Sequence, residues 1–108
     1  MSIRKVSTTL VGVAALLAGN LLHAGWTATG SVTTVWSHNG YHFIMTTIPV
    51  NPCGSGGKFF WLASDPDAKD MFAMALTALA ANKPVNVYYD STNCSSGGQE
   101  VSLMSISQ

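Results

Sequence analysis

Threonine and valine crowd the run from Thr29 to Ser37, a composition that favours an extended strand. Asn39-Gly40 follows, the strongest short signal for a hairpin turn because both residues tolerate positive φ. Tyr41 to Ile48 then reads as the returning strand. A two-residue turn at Asn39-Gly40 pairs His38 with Tyr41, Trp36 with Phe43, Thr34 with Met45 and Val32 with Thr47. That face is the more aromatic and apolar, and it is the expected core face. The opposite face carries Ser31, Thr33, Val35 and Ser37 against His42, Ile44, Thr46 and Ile48. Prolines and glycines mark Pro49 to Gly57 as a loop. Lys58 to Ala63, with Phe59, Phe60, Trp61 and Leu62 in a row, is too short for a helix and predicts a buried strand.

The pattern then changes period. Ala68, Met71, Phe72, Ala75, Leu76 and Leu79 recur at three- and four-residue spacing, which predicts a helix with that stripe buried. Ser64 or Asp65 is placed to cap it, Pro66 suits its first turn, and Asp67 three residues after Ser64 completes a capping-box spelling. Asn82-Lys83-Pro84 ends it. The other side, with Ala73, Met74, Thr77, Ala80 and Ala81, lacks the charge a solvated helix face normally carries. This predicts cover by loops or by a partner subunit, with Ala73, Met74, Thr77 and Ala80 as interface residues. Val85 to Asp90 forms a further strand, with Val85, Val87 and Tyr89 on one side. Ser91 to Gly98 is a polar turn region, and Val101 to Ser107 a last strand whose broken alternation predicts a bulge or irregular edge. The fold class is mainly β with one α-helix. Its order β-β-β-α-β-β is that of an OB-fold-like five-stranded barrel.

The first residues have a different character. Arg4 and Lys5 precede a stretch from Val6 to Leu22 without charge, and Leu22-His23-Ala24 offers a small-residue cleavage site. This order predicts a secretion signal over residues 1–24, followed by a single domain over 25–108 in a secreted or periplasmic bacterial protein. The apolar run is shorter than the roughly 20 residues of a membrane span, so no span is expected after cleavage. Beyond the signal, three lysines face five carboxylates and no arginine, a net charge of −2. A chain without clustered cations has no means of binding nucleic acid by counterion release.

Cys53 and Cys94 are the only cysteines, and in an oxidising compartment they are expected to form a disulfide. Signals for catalysis are weak. His38 and His42 point to opposite faces of the predicted hairpin and cannot share a metal ion. The aspartates Asp65, Asp67 and Asp70 are accounted for by the helix N-terminus. No nucleophile elbow, phosphate loop or dinucleotide fingerprint occurs. The expectation is a protein that is not an enzyme and uses neither metal nor cofactor. What remains is surface rich in aromatic and hydroxyl groups, suited to stacking on sugar rings and hydrogen bonding their hydroxyls. Trp36 and Trp61 are expected in the core, whereas Trp26, Tyr41 and Tyr88 are candidates for the surface.

Gly25-Trp26-Thr27, the strand Thr29-Gly30-Ser31-Val32-Thr33-Thr34 and the junction Asn82-Lys83-Pro84-Val85-Asn86-Val87-Tyr88-Tyr89-Asp90 together resemble the B-subunits of AB5 toxins of the subtilase-cytotoxin and typhoid-toxin type. The resemblance implies an OB-fold, a homopentamer packed around its helices, and recognition of sialylated glycans. A serine of the family's first strand contacts the sugar, and Thr29 stands at that place with its hydroxyl retained. The candidate ligand-binding residues are thus Thr29, Ser31, Tyr41 and Tyr88, with a glycan or a protein as ligand. The alternative is a structural or inhibitory periplasmic protein without a small ligand.

Overall fold

The computed structural model describes residues 24–54 and 56–108. The expected leader, apart from Ala24, lies outside the described residues. In chain order the elements are β1 (Gly25–Trp26), β2 (Gly30–His38), β3 (Tyr41–Thr46), β4 (Lys58–Leu62), α1 (Ala68–Ala81), β5 (Pro84–Tyr89), β6 (Cys94–Ser95), β7 (Gly98–Glu100) and β8 (Leu103–Ile106).

Strand pairing curls the sheet into a barrel-like arrangement whose last link is the chain itself between β7 and β8. β2 pairs with β3 and β3 with β4, all antiparallel. β4 pairs with β7 in parallel, β8 pairs with β5, and β5 returns to β2. β7 and β8 are two halves of one final strand, broken at Val101 and Ser102, and each half serves a different neighbour. At the break the Val101 N–H donates to Phe60 O at 2.9 Å and the Ser102 N–H to Tyr88 O at 2.9 Å, so the seam stays bonded. This is the mainly β, one-helix, OB-fold-like arrangement that the element order implies. The irregularity expected in the last strand is this break. β1 and β6 are short additions, β1 on β5 and β6 on β7.

The hairpin register is as predicted from His38↔Tyr41 to Thr34↔Met45, but Val32 lies opposite Thr46 and not Thr47. A register shift between Val32 and Thr34 inserts one residue, which turns Val32 and Val35 to the same side. Independently of that shift, Val35 and Ile44 face inward and Trp36 and Phe43 outward, so the faces are reversed relative to expectation. The core takes Val32, Ile44, Ile48, Phe59 and Trp61, with Val35 packed against it. Trp36, Phe43 and Tyr41 share the outer side with Phe60. Trp61 is fully buried as expected, whereas Trp36 is only half-buried. The Trp61 indole N–H donates to Ala68 O at 3.1 Å, tying β4 to the first turn of the helix.

The helix buries a narrower stripe than its sequence suggests. Ala68, Met71, Ala75 and Ala78 are buried and Phe72 partly so, but Leu76 and Leu79 remain 45% and 40% exposed. Small residues at the contact let the helix lie close to the barrel, and larger leucines are displaced to its flank. The capping box does not form. Asp67 takes the N-cap position without a side-chain cap bond. Asp65 instead closes the strand-to-helix turn, its Oδ2 accepting from the Leu62 N–H at 3.3 Å. At the other end Asn82 adopts the left-handed conformation, and the Lys83 N–H donates to Ala78 O at 3.1 Å.

Cys53 and Cys94 form the expected disulfide. Two glycines are structurally required in the loop before β4, and a Cβ at the first, Gly56, would sit 2.1 Å from Pro49 O. Gly57 has φ +95°, and a Cβ there would sit 2.3 Å from Thr46 O. Its carbonyl accepts from both the Thr46 N–H (2.7 Å) and the Thr46 hydroxyl (3.0 Å).

Candidate functional site

The outer side of β3 and β4 carries aromatic rings that the core does not use. Trp36 stacks on Phe43 at 5.1 Å and 8°, Tyr41 meets Phe60 edge-on at 5.5 Å, and Phe43 lies 5.9 Å from Phe60. Phe43 and Phe60 are buried beneath this layer, while Trp36 and Tyr41 are half-buried and reach solvent. Alternation along β4 explains the arrangement. Phe59 and Trp61 point inward, so Phe60 and Leu62 must point out. Lys58 borders one side, its ammonium 5.6 Å from the centres of both Trp36 and Phe43 and donating to Ser96 O at 2.8 Å.

On the other side the layer opens into a cleft of about 310 Å³, lined by Tyr41, Phe60, Leu62, Asn93, Cys94, Ser95 and Glu100. Its floor is aromatic and aliphatic, and its wall is the loop between β5 and β7. That wall is held from several directions. Glu100 Oε1 accepts from the Ser91 hydroxyl (3.1 Å) and the Asn93 amide (2.7 Å). The Glu100 N–H donates to Asn93 O at 3.0 Å. Gln99, fully buried, donates through Nε2 to Ser91 O and Glu100 O, both at 2.9 Å. The disulfide fastens the loop to the segment before β4. Polar groups beside the aromatic floor are thus fixed before any ligand arrives. In OB-folds the second and third barrel strands, with the loops flanking them, form the surface that binds oligonucleotides and oligosaccharides. β3 and β4 occupy that position here.

A second cleft of about 360 Å³ adjoins the helix N-terminus, lined by Asp65, Pro66, Asp67, Met71, Asp90, Glu100, Val101 and Ser102. Glu100 belongs to both clefts.

The four ligand-binding candidates do not form one site. Ser31 pairs with Pro84 near the start of β2, and its N–H donates to Thr47 Oγ1 at 2.9 Å. Thr29 is exposed just before β2. Tyr88 lies on β5 edge-on to the half-exposed Trp26, with ring centres 5.5 Å apart. Tyr41 sits at the opposite end of β2, paired with His38, about 23 Å from Ser31 at the rise of an extended strand. Only Tyr41 lines the aromatic cleft. Sequence reasoning missed Phe60, Leu62, Asn93 and Glu100. The signal for the loop residues was the position of Cys94, whose bridge to Cys53 draws the loop toward β4.

Of the interface candidates, Ala73, Thr77 and Ala80 are exposed, whereas Met74 packs partly against the core. Together with Leu76 and Leu79 the three form an uncharged surface that no described residue covers.

His38 and His42 lie on opposite faces, as their pairing requires. His42 Nδ1 is 2.6 Å from the Ser37 hydroxyl, and its ring is held against Phe72 at 4.4 Å and Trp61 at 5.8 Å. Those contacts fit a group that docks the helix on the hairpin. Among the described residues no cluster of His, Cys, Asp or Glu is arranged to hold a metal ion, and no helix is long and apolar enough to cross a membrane. No family model matches the chain, and no curated protein or solved structure matches it.

Proposed function

We propose that this chain is an exported, non-enzymatic recognition module that binds a glycan in the cleft on the outer side of β3 and β4, and that it assembles through the exposed face of α1. The observation that carries this reading is the joining of an aromatic floor to a polar wall held by a disulfide and by buried Gln99. A pyranose ring laid on Tyr41 places its C–H groups against the aromatic face. Its hydroxyls then meet the Asn93 amide, the Ser95 hydroxyl and the Glu100 carboxylate. An export signal and an oxidising destination agree with the leader composition and with the disulfide. The resemblance to AB5 B-subunits agrees with the barrel, and a ring packed around its helices supplies a partner for Ala73, Leu76, Thr77, Leu79 and Ala80.

A glycan array probed with the oxidised protein tests the binding. Tyr41→Ala is expected to weaken any glycan bound by at least about tenfold, the scale of removing one aromatic anchor. Tyr88→Ala, at a residue that does not line the cleft, is expected to leave it unchanged. Absence of binding to every glycan, by protein shown to be folded and disulfide-bonded, overturns this reading in favour of a structural or inhibitory role.

A further inference from the structure

We infer that the glycan taken by the aromatic cleft carries no acidic group, so that neutral pyranoses are accepted and sialylated or uronate-bearing ones are rejected. This rests on the glycan-binding reading above and concerns the charge of the ligand.

The cleft is lined by one acidic side chain, Glu100, and by no lysine, arginine or histidine. Oε1 of Glu100 accepts from Ser91 and Asn93, while its Oε2 meets no donor among the described residues. The adjoining cleft shares Glu100 and adds Asp65, Asp67 and Asp90, again without a cation. Lys58 is the lysine associated with the aromatic layer. Its ammonium is engaged by Ser96 O, one residue beyond the cleft-lining Ser95, and sits over Trp36 and Phe43, and Lys58 is not among the residues lining the cleft. A carboxylated sugar on Tyr41 would therefore bring its charge beside Glu100 and toward three more carboxylates. It would lose water with no counter-cation to replace it. A neutral sugar meets the opposite situation. Its hydroxyls donate to the free Glu100 oxygen in charge-assisted bonds, and exchange ordinary hydrogen bonds with Asn93 and Ser95.

The test is an array of neutral glycans beside the same glycans bearing a terminal sialic acid or a uronate, with dissociation constants then measured on matched pairs. The neutral member is expected to bind at least about tenfold more tightly at low salt, with the gap narrowing at 0.5 M salt as screening sets in. Glu100→Gln, which keeps an acceptor for Ser91 and Asn93, is expected to shrink the gap several-fold. Asp90→Asn, at an exposed position, gives the same test in a smaller measure should the first variant fold poorly. Tighter binding of the acidic members, weakened by Tyr41→Ala, overturns this inference and leaves the glycan-binding reading standing. An unchanged gap in both variants overturns the role of the carboxylates. No binding to either member of any pair overturns the inference and the reading together.

Discussion

Removal of the disulfide is expected to cost this domain a large part of its stability, and the size of the loss follows from where the bridge sits. Cys53 and Cys94 are 41 residues apart, so the bond closes about half of the domain expected over residues 25–108. In the chain-entropy treatment, closing a loop of that length restricts the unfolded ensemble by about 4 kcal/mol. A domain of this size has a total stability of about 4–13 kcal/mol, so the loss ranges from a third of the total to all of it. With an unfolding entropy of about 0.18 kcal/mol/K for this length, the melting temperature should fall by roughly 20 °C.

Two variants separate the chain-entropy effect from a local one. The Cys53 sulfur lies 3.3 Å from Oε1 of Gln99, which is fully buried. In Cys53→Ser with Cys94→Ser the new hydroxyl at position 53 can donate to that oxygen. In Cys53→Ala with Cys94→Ala no hydroxyl can; because a half-cystine sulfur carries no proton, Gln99 Oε1 loses no bond in that pair, and the serine pair is expected to be the more stable of the two by about 1 kcal/mol. Urea unfolding followed by the fluorescence of buried Trp61 measures both. A loss under about 1 kcal/mol in the serine pair would refute the entropic account, because it would mean that the unfolded chain is already restricted without the bond. Equal losses in the two pairs would refute the role given to Gln99.

Two further perturbations address the loop and the helix. Gly57→Ala places a Cβ against Thr46 O at a left-handed φ and is expected to cost about 3 kcal/mol or more, whereas Gly40→Ala, at φ +82° in open space, should cost about 1 kcal/mol in the same urea assay; equal costs would refute the backbone contact. Leu76→Glu, on the exposed flank of α1, should leave the fold within about 0.5 kcal/mol of the parent yet dissociate any assembly, as read by light scattering. Persistence of the oligomer would remove that face as the interface, and a parent protein that is already a strict monomer would remove the assembly itself.

Local signals were legible wherever neighbours in the chain decide the outcome. Asn39-Gly40 set the register of five residues on β2 against β3, and the change from strand to helical spacing located α1. Long-range decisions were not legible. Both faces of the hairpin carry apolar side chains, so the one that turns inward is decided by what packs against it, and the extra residue near Thr33 that brings Val32 to the side of Val35 shows only once the partner strand is known. Helix burial was misjudged for a related reason. Ranking by hydrophobicity puts Leu76 and Leu79 inside, but the space between helix and barrel admits Ala75 and Ala78 and excludes larger side chains. The cleft shows the same limit. Tyr41 stood out as an aromatic beside a turn, while Asn93 and Glu100 reach it only through the parallel pairing of β7 with β4 and the bridge from Cys53.

These misreadings share a direction that bears on function. Trp36, Leu76 and Leu79 are residues that the sequence assigns to the core, and the folded chain leaves each at least partly open to water, as it does Tyr41, a surface candidate from the start. Thirteen other residues form a continuous buried cluster without them, so the core is complete before they are counted. Apolar area kept in contact with water has no stabilising effect within the monomer and favours aggregation, and the proposed function assigns its retention at two separate places to two separate occupants. The aromatic layer is bordered by hydrogen-bonding groups in fixed positions, which suits a small polar ligand. The flank of α1 is uncharged and offers no such groups, which suits another protein surface. On the proposed function that difference assigns recognition to the aromatic layer and assembly to the flank of α1, and a variant at either should leave the other at work.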